Sequence, residues 1–161
     1  MDKLIYKKAI KYLPMFFDTQ LQFDPLGAGI FEPLKKIVDF DEAYIFYLNP
    51  DSVRAKYIFS DCRPFNVDDV FSISQNIKDD LFSVENKFFD NSNELIQLLN
   101  LNNNSSFLTL KLIIRNTVYG FVLLCKKEES FYSPEYLDIA TAVGSVISYK
   151  VKDVELSDVF K

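Results

Sequence analysis

Residues 107–125 constrain the fold more than any other stretch: FLTLKLII, a polar turn at Arg115, Asn116 and Thr117, then VYGFVLLC. Two near-continuous runs of aliphatic, β-branched and aromatic residues joined by so short a connection predict an antiparallel hairpin. Strands this apolar on both sides belong in the middle of a sheet that is covered on both faces. The rest of the chain must supply the covers.

One cover is legible as helices. Ser133 and Pro134 open a helix over 134–161 with Ala140, Val143, Ile147, Val151 and Val154 along one side. In the first stretch, 1–17, Ile5, Ala9, Tyr12 and Phe16 step by helical intervals with lysines opposite, and Pro14 ends or kinks the helix. A second helix is expected from Asp24 as N-cap with Pro25 in the first turn, carrying Leu26, Ile30, Leu34, Ile37 and Val38, although Pro33 sits in its middle. Between these, AYIFYL (43–48) and VRAKYIF (53–59) flank Asn49, Pro50 and Asp51 and read as another hairpin. The region from Asp61 to Asn104 is polar and irregular. It contains a helical SISQNIKDDLF (72–82), a candidate edge strand NKFF (86–89) and a helical NELIQLL (93–99). The length suits one domain, 1–161, of α+β class.

Composition removes several function classes. With 48% hydrophobic and 25% charged residues the chain has a globular balance. It has no His, which excludes histidine-dependent triads, histidine-ligated haem and histidine-bearing zinc sites. No catalytic constellation remains, since pairs such as Asp68 with Asp69 and Asp79 with Asp80 point apart, and the expectation is a protein that is not an enzyme. A net charge of −5 with scattered cations disfavours nucleic acid. Lys3, Lys7, Lys8 and Lys11 read as the wet face of the first helix. Cys62 and Cys125 form no CxxC pair, which points to a reducing, cytoplasmic setting, and no segment reads as a signal peptide or a membrane span.

The order helix, helix, hairpin, irregular insert, hairpin, long helix resembles the GAF family of sensory modules. The resemblance is carried by LKLIIRNTVYGFVLLCKKEESFYSPEYLDIATAVGSVISYKV, with Gly120, Phe131, Ser133 and Glu135 in matching places, and by FDEAYIFYLNPDSVRAKYIFSD as the first hairpin. PAS domains share a related plan, but the long closing helix fits GAF better. The resemblance implies a central antiparallel sheet of five or six strands with the terminal helices packed on one face. It also implies an input domain that binds a small molecule or relays a signal to an output region of a larger chain. A ligand-free dimerisation or protein-interaction scaffold is the alternative.

Family members that bind ligands hold them between one sheet face and the insert, which directs attention to Thr109 and Lys111, and to Arg54 and Lys56, as a site for an anionic small molecule. A solvated strand face accounts for the same residues. The family's cyclic-nucleotide motif is matched only by Lys126, Lys127, Phe131 and Glu135, without its Asn and with an incomplete acidic pair, which disfavours that ligand. Asn86–Lys87 lies in another element. Cys62, in SDCRPF, stands where a bilin thioether is conceivable, but the histidine surroundings are missing; Cys125 reads as a small core residue.

Assembly is the last expectation. A helix over 134–156 reaches about 35 Å, whereas strands of ordinary length cover about 20 Å. The overhang predicts a parallel homodimer through Val143, Ile147, Val151 and Val154, with Ile5, Ala9 and Tyr12 alongside.

Overall fold

A computed structural model of the chain describes the backbone of residues 3–17 and 28–159 and the side chains of 4–16 and 29–152. Helix α1 (Lys3–Tyr12) runs into a 3-10 turn (Leu13–Phe17), as Pro14 requires. There follow α2 (Ala28–Ile37), β1 (Glu42–Asn49), β2 (Ser52–Phe59), β3 (Val70–Ser72), α3 (Gln75–Phe82), β4 (Phe88–Asp90), α4 (Glu94–Leu99), β5 (Ser106–Ile114), β6 (Thr117–Lys126) and α5 (Glu135–Val159). The expected N-cap at Asp24, with Pro25 and Leu26, lies outside the described residues.

The strands form one six-stranded sheet in the order β3-β2-β1-β6-β5-β4, antiparallel throughout. The apolar hairpin β5–β6 is interior, as its composition demands. Ile114 pairs with Thr117, so the loop is the two residues Arg115 and Asn116, with φ of 52° and 64°. Two left-handed residues make a type I′ turn, whose twist matches that of the strands it joins. The short edge strand β3 had no clear signal in the sequence.

Each sheet face has its own core. On the helix side Leu108, Leu110, Leu112, Val122 and Leu124 meet α1, α2 and α5. On the opposite side Tyr44, Phe46, Phe107, Phe121 and Leu123 meet Phe65 and the apolar faces of α3 and α4. Helix α5 rests on β5 where neither offers bulk: a Cβ added to Gly144 would lie 3.0 Å from the Lys111 carbonyl oxygen. One turn on, Ser148 Oγ accepts from the Ile113 N–H at 2.8 Å, just where the β5–β6 register shifts. Tyr119 adds a bond from its hydroxyl to the Ser148 carbonyl at 2.5 Å.

This docking corrects the expected dimer seam. Val143, Ile147 and Val151 are fully buried within the chain, and Ile5 and Ala9 nearly so. Tyr12 packs partly buried against the same cluster. Val143, Ile147, Val151, Ile5 and Ala9 belong to the chain's own core and are not open to a second subunit; Tyr12 keeps part of its surface exposed, and the Val154 side chain lies outside the described residues. The periodicity announced a buried seam correctly, and the neighbour is intramolecular.

Candidate functional site

Strand alternation turns Thr109 and Lys111 away from the leucines of β5 and under the insert. They are 1% and 2% exposed, so the solvated-face reading does not hold. The reason lies in α3. Its C-cap, Ser83, has extended backbone (φ −67°, ψ 140°), and its last turn holds no basic residue, so its terminal carbonyls lack both a left-handed cap and a local cation. Lys111 supplies the cation from across the sheet. Its Nζ donates to the carbonyls of Asp80 at 2.6 Å, Leu81 at 3.0 Å and Ser83 at 2.7 Å, where the helix dipole is negative. Burial pushes the ammonium pKa down to about 8, with Lys87 adding to the shift and Asp80 and Glu85 opposing it. An ammonium has three donors. All three are engaged, so Lys111 has none left for an anionic ligand.

The strap after α3 is stitched to β5 by side chains standing in for a strand. Thr109 Oγ1 accepts from the Lys87 N–H at 2.9 Å, and the Thr109 N–H donates to the Lys87 carbonyl at 2.9 Å. Asn86 Oδ1 accepts from the Lys111 N–H at 2.6 Å, and Asn86 Nδ2 reaches Thr141 Oγ1 on α5 at 3.3 Å. One side chain thus touches insert, sheet and closing helix. Lys87 Nζ pairs with Asp80 at 2.6 Å. Beneath the strap, Asn76, Asp80, Phe89, Thr109 and Lys111 help to line a cavity of about 40 Å³, room for a few waters.

Arg54 and Lys56 do not join this site. The β1–β2 register shifts between Ile45 and Phe46. Val53 and Ala55 face the insert-side core while Tyr57 belongs to the helix side. Arg54 is exposed, and Lys56 Nζ lies 6.0 Å from the Tyr47 ring, which packs on the helix-side cluster. The four residues fall on two sides of the sheet, because Val53 and Ala55 take the insert side and leave Arg54 and Lys56 to the other.

A second polar cluster was missed. The Glu42 carboxylate is 4% exposed and accepts from Tyr44 OH, from Ser60 Oγ at 2.9 Å and from Asn104 Nδ2 at 3.1 Å. It knots the start of β1 to the segments that follow β2 and precede β5. Burial, then the bond to Glu42, pushes the Tyr44 phenol well above its ordinary pKa, and burial likewise raises the thiol of Cys125. Asn104 stands in a run of Asn and Ser that reads only as loop; nothing in its spacing marks a buried partner for Glu42. Cys62 is exposed. Lys126, from the cyclic-nucleotide comparison, is engaged with Asp39 at 3.0 Å and Asp41 at 3.6 Å. Among the described residues no helix is long and apolar enough to cross a membrane.

No family model matches the sequence, and no curated protein matches it either. The three-dimensional comparison is informative. The chain is similar to the GAF domain of a two-component sensor histidine kinase from Bacillus halodurans (TM-score 0.66, 15% identity, covering 86% of this chain and 99% of that one). It is also similar to the GAF domain of an Acinetobacter phosphoenolpyruvate-protein phosphotransferase (TM-score 0.65, 13% identity, 97% of each chain). A third likeness is to the phycoerythrobilin-bound GAF domain of a cyanobacterial phytochrome (TM-score 0.68, 11% identity, covering 97% of this chain and 99% of that one). Element order, sheet topology and these likenesses agree that this chain has the fold of GAF domains.

Proposed function

We propose that the chain is a sensory or regulatory input module, without turnover of its own, that relays a change on the insert side of its sheet to helix α5 and thence to an output region. The observation that carries this reading is the junction at Asn86. Its side chain bonds the β5 backbone and Thr141 of α5 while its main chain lies in the strap that closes the cavity. A displacement of the strap therefore acts on two rigid elements at once, which is what coupling between sites requires. The solved domains that this chain resembles come from a sensor kinase, a phosphotransferase and a phytochrome, which supports a signalling role. A cytoplasmic setting and a homodimer formed by surfaces other than the buried seam complete the proposal.

Ligand entry would require the strap to move, because drug-sized ligands need roughly 300 Å³ or more and the insert side is filled by Tyr44, Phe46, Phe65 and Phe121. That filling favours a second reading, a ligand-free interaction module. Native mass spectrometry of protein purified from cells, joined to hydrogen exchange, separates the two. A retained small molecule that changes exchange in 83–90 and in α5 together supports the sensor. A bare chain whose α5 exchange is indifferent to Asn86→Ala would overturn the coupling.

A further inference from the structure

The outermost strand β4 carries a hollow on its helix side. Phe88 pairs with Leu108 and Asp90 with Ser106, and residues directly opposite one another on an antiparallel pair point to one face. Phe88, Asp90 and Ser106 therefore lie on the side of the sheet where Leu108 meets the helices. The helix layer does not close over this edge, and Phe88 stays 39% exposed. Between β4 and the segment that leads into α5 lies a hollow of about 440 Å³, inside the range of roughly 300–1,000 Å³ that small-molecule sites occupy.

Its walls make two opposite polar demands. Phe88 and Pro134 supply apolar rings, and Ser105, Ser130 and Ser133 bring hydroxyls to the rim. Asp90 is the one ionised side chain in the lining. Its Oδ1 accepts from the Ser92 N–H at 2.9 Å and from the Ser92 hydroxyl, bonds that hold its carboxyl below the ordinary pKa. Among the described residues no donor reaches its Oδ2. Ser106, 4% exposed, accepts at Oγ from the Tyr132 N–H at 3.0 Å, and among the described residues its own proton has no acceptor. A buried hydroxyl with an unused proton is destabilising unless something in the hollow accepts it.

An occupant has to answer both groups. An anion would meet Asp90 with no lysine or arginine in the lining, beside a helix whose first turn already carries Glu135 and Asp138. An ammonium offers donors alone and leaves the Ser106 proton unanswered. A hydroxyl both donates and accepts. We propose that this hollow binds a neutral polyhydroxylated ring, a monosaccharide, with its C–H face on Phe88 and its hydroxyls donating to Asp90 and accepting from Ser106. The site is on the helix side of the sheet and does not rest on the relay through the strap.

The test is amide NMR of the whole chain titrated separately with D-glucose and D-galactose. The expected result with at least one of them is a saturable shift of 88–90, 105–106 and 130–135, with affinity about tenfold lower, about 1.4 kcal/mol, in Phe88→Ala and in Asp90→Asn. Phe88 is exposed at the sheet edge, so its variant should keep the melting temperature of the native chain and decides the matter alone if Asp90→Asn unfolds. The phosphate ester of the same sugar should bind about tenfold more weakly still, through repulsion by Asp90. No saturable shift with either sugar, unchanged affinity in Phe88→Ala, equal binding of the phosphate ester, or shifts confined to α3 and 83–87 would each overturn the proposal.

Discussion

The two faces of the sheet solve the same burial problem by different means. On the helix side, aliphatic strand residues meet three helices, and helix α5 lies close enough for Gly144 to approach the β5 main chain. On the insert side, aromatic residues of β1, β5 and β6 meet two short helices of 8 and 6 residues, joined by segments held through Lys111, Thr109 and Asn86. Dispersion between interlocking aliphatic side chains has few alternative arrangements of similar energy. A helix capped by a lysine from another strand, by contrast, opens when one cluster of hydrogen bonds is lost. The contrast locates rigidity on one face and adaptability on the other.

The largest expected effect is on the helix side. Leu110→Ala removes a fully buried side chain beneath α5 and should cost about 2–5 kcal/mol, read from the urea midpoint. An unchanged midpoint would break the picture of a close-packed helix face. Lys111→Met should cost less, about 1–3 kcal/mol, and should act locally, raising hydrogen exchange in α3 while leaving α5 protected. The same variant tests the electrostatics. The folded-state pKa of about 8 lies below the ordinary lysine value. As pH rises from about 8 towards 10.5 the unfolded chain holds the proton that the native state has released, and stability rises in that window. The native chain should therefore gain on Lys111→Met over that range, and parallel curves would contradict the buried charge. Ser148→Ala leaves the Ile113 N–H without its acceptor and should cost about 1 kcal/mol, visible as a lower melting temperature. The smallest effect is a gain: Arg115→Asn with Asn116→Gly suits both left-handed positions of the β5–β6 turn and should stabilise by about 0.5–1 kcal/mol, as a raised denaturation midpoint.

The same contrast explains what could be read from the sequence. The helix side was legible because its periods are regular: the leucines of β5 alternate, and Val143, Ile147 and Val151 recur at helical spacing. Periodicity reports that a face is buried and not what buries it, which is why that seam was ascribed to a second subunit. The insert side was legible only in outline. Lys111 has one local signal, a lone cation inside FLTLKLII, where a central strand gives it no route to solvent. Its partners sit about 30 residues away, at the end of a helix whose last turn shows no cation, and nothing local links the two. Arg54 and Lys56 share a strand face with one another, but the sequence does not show that this face is opposite the one that carries Lys111. Glu42 and Asn104 lie 62 residues apart and meet only because β1 and β5 begin at the same end of the sheet.

The sheet's outermost strands also have a consequence for how the molecule behaves in a crowded solution. Both β3 and β4 are 3 residues long, while the inner strands run to 8, 9 or 10. Where β4 stops, the Lys87 backbone and the Asn86 amide take up the hydrogen-bonding groups that β5 would otherwise show to solvent. A sheet with near-continuous apolar strands at its centre would be hazardous if those strands faced another chain edge-on, because open edges template the addition of further strands. Here the strongest β-forming segment is fenced from its neighbours by main-chain pairing on one side and by a side-chain amide on the other. Protection against edge pairing is thus built into the ends of the sheet, and loosening the strap at Asn86 would uncover the β5 edge.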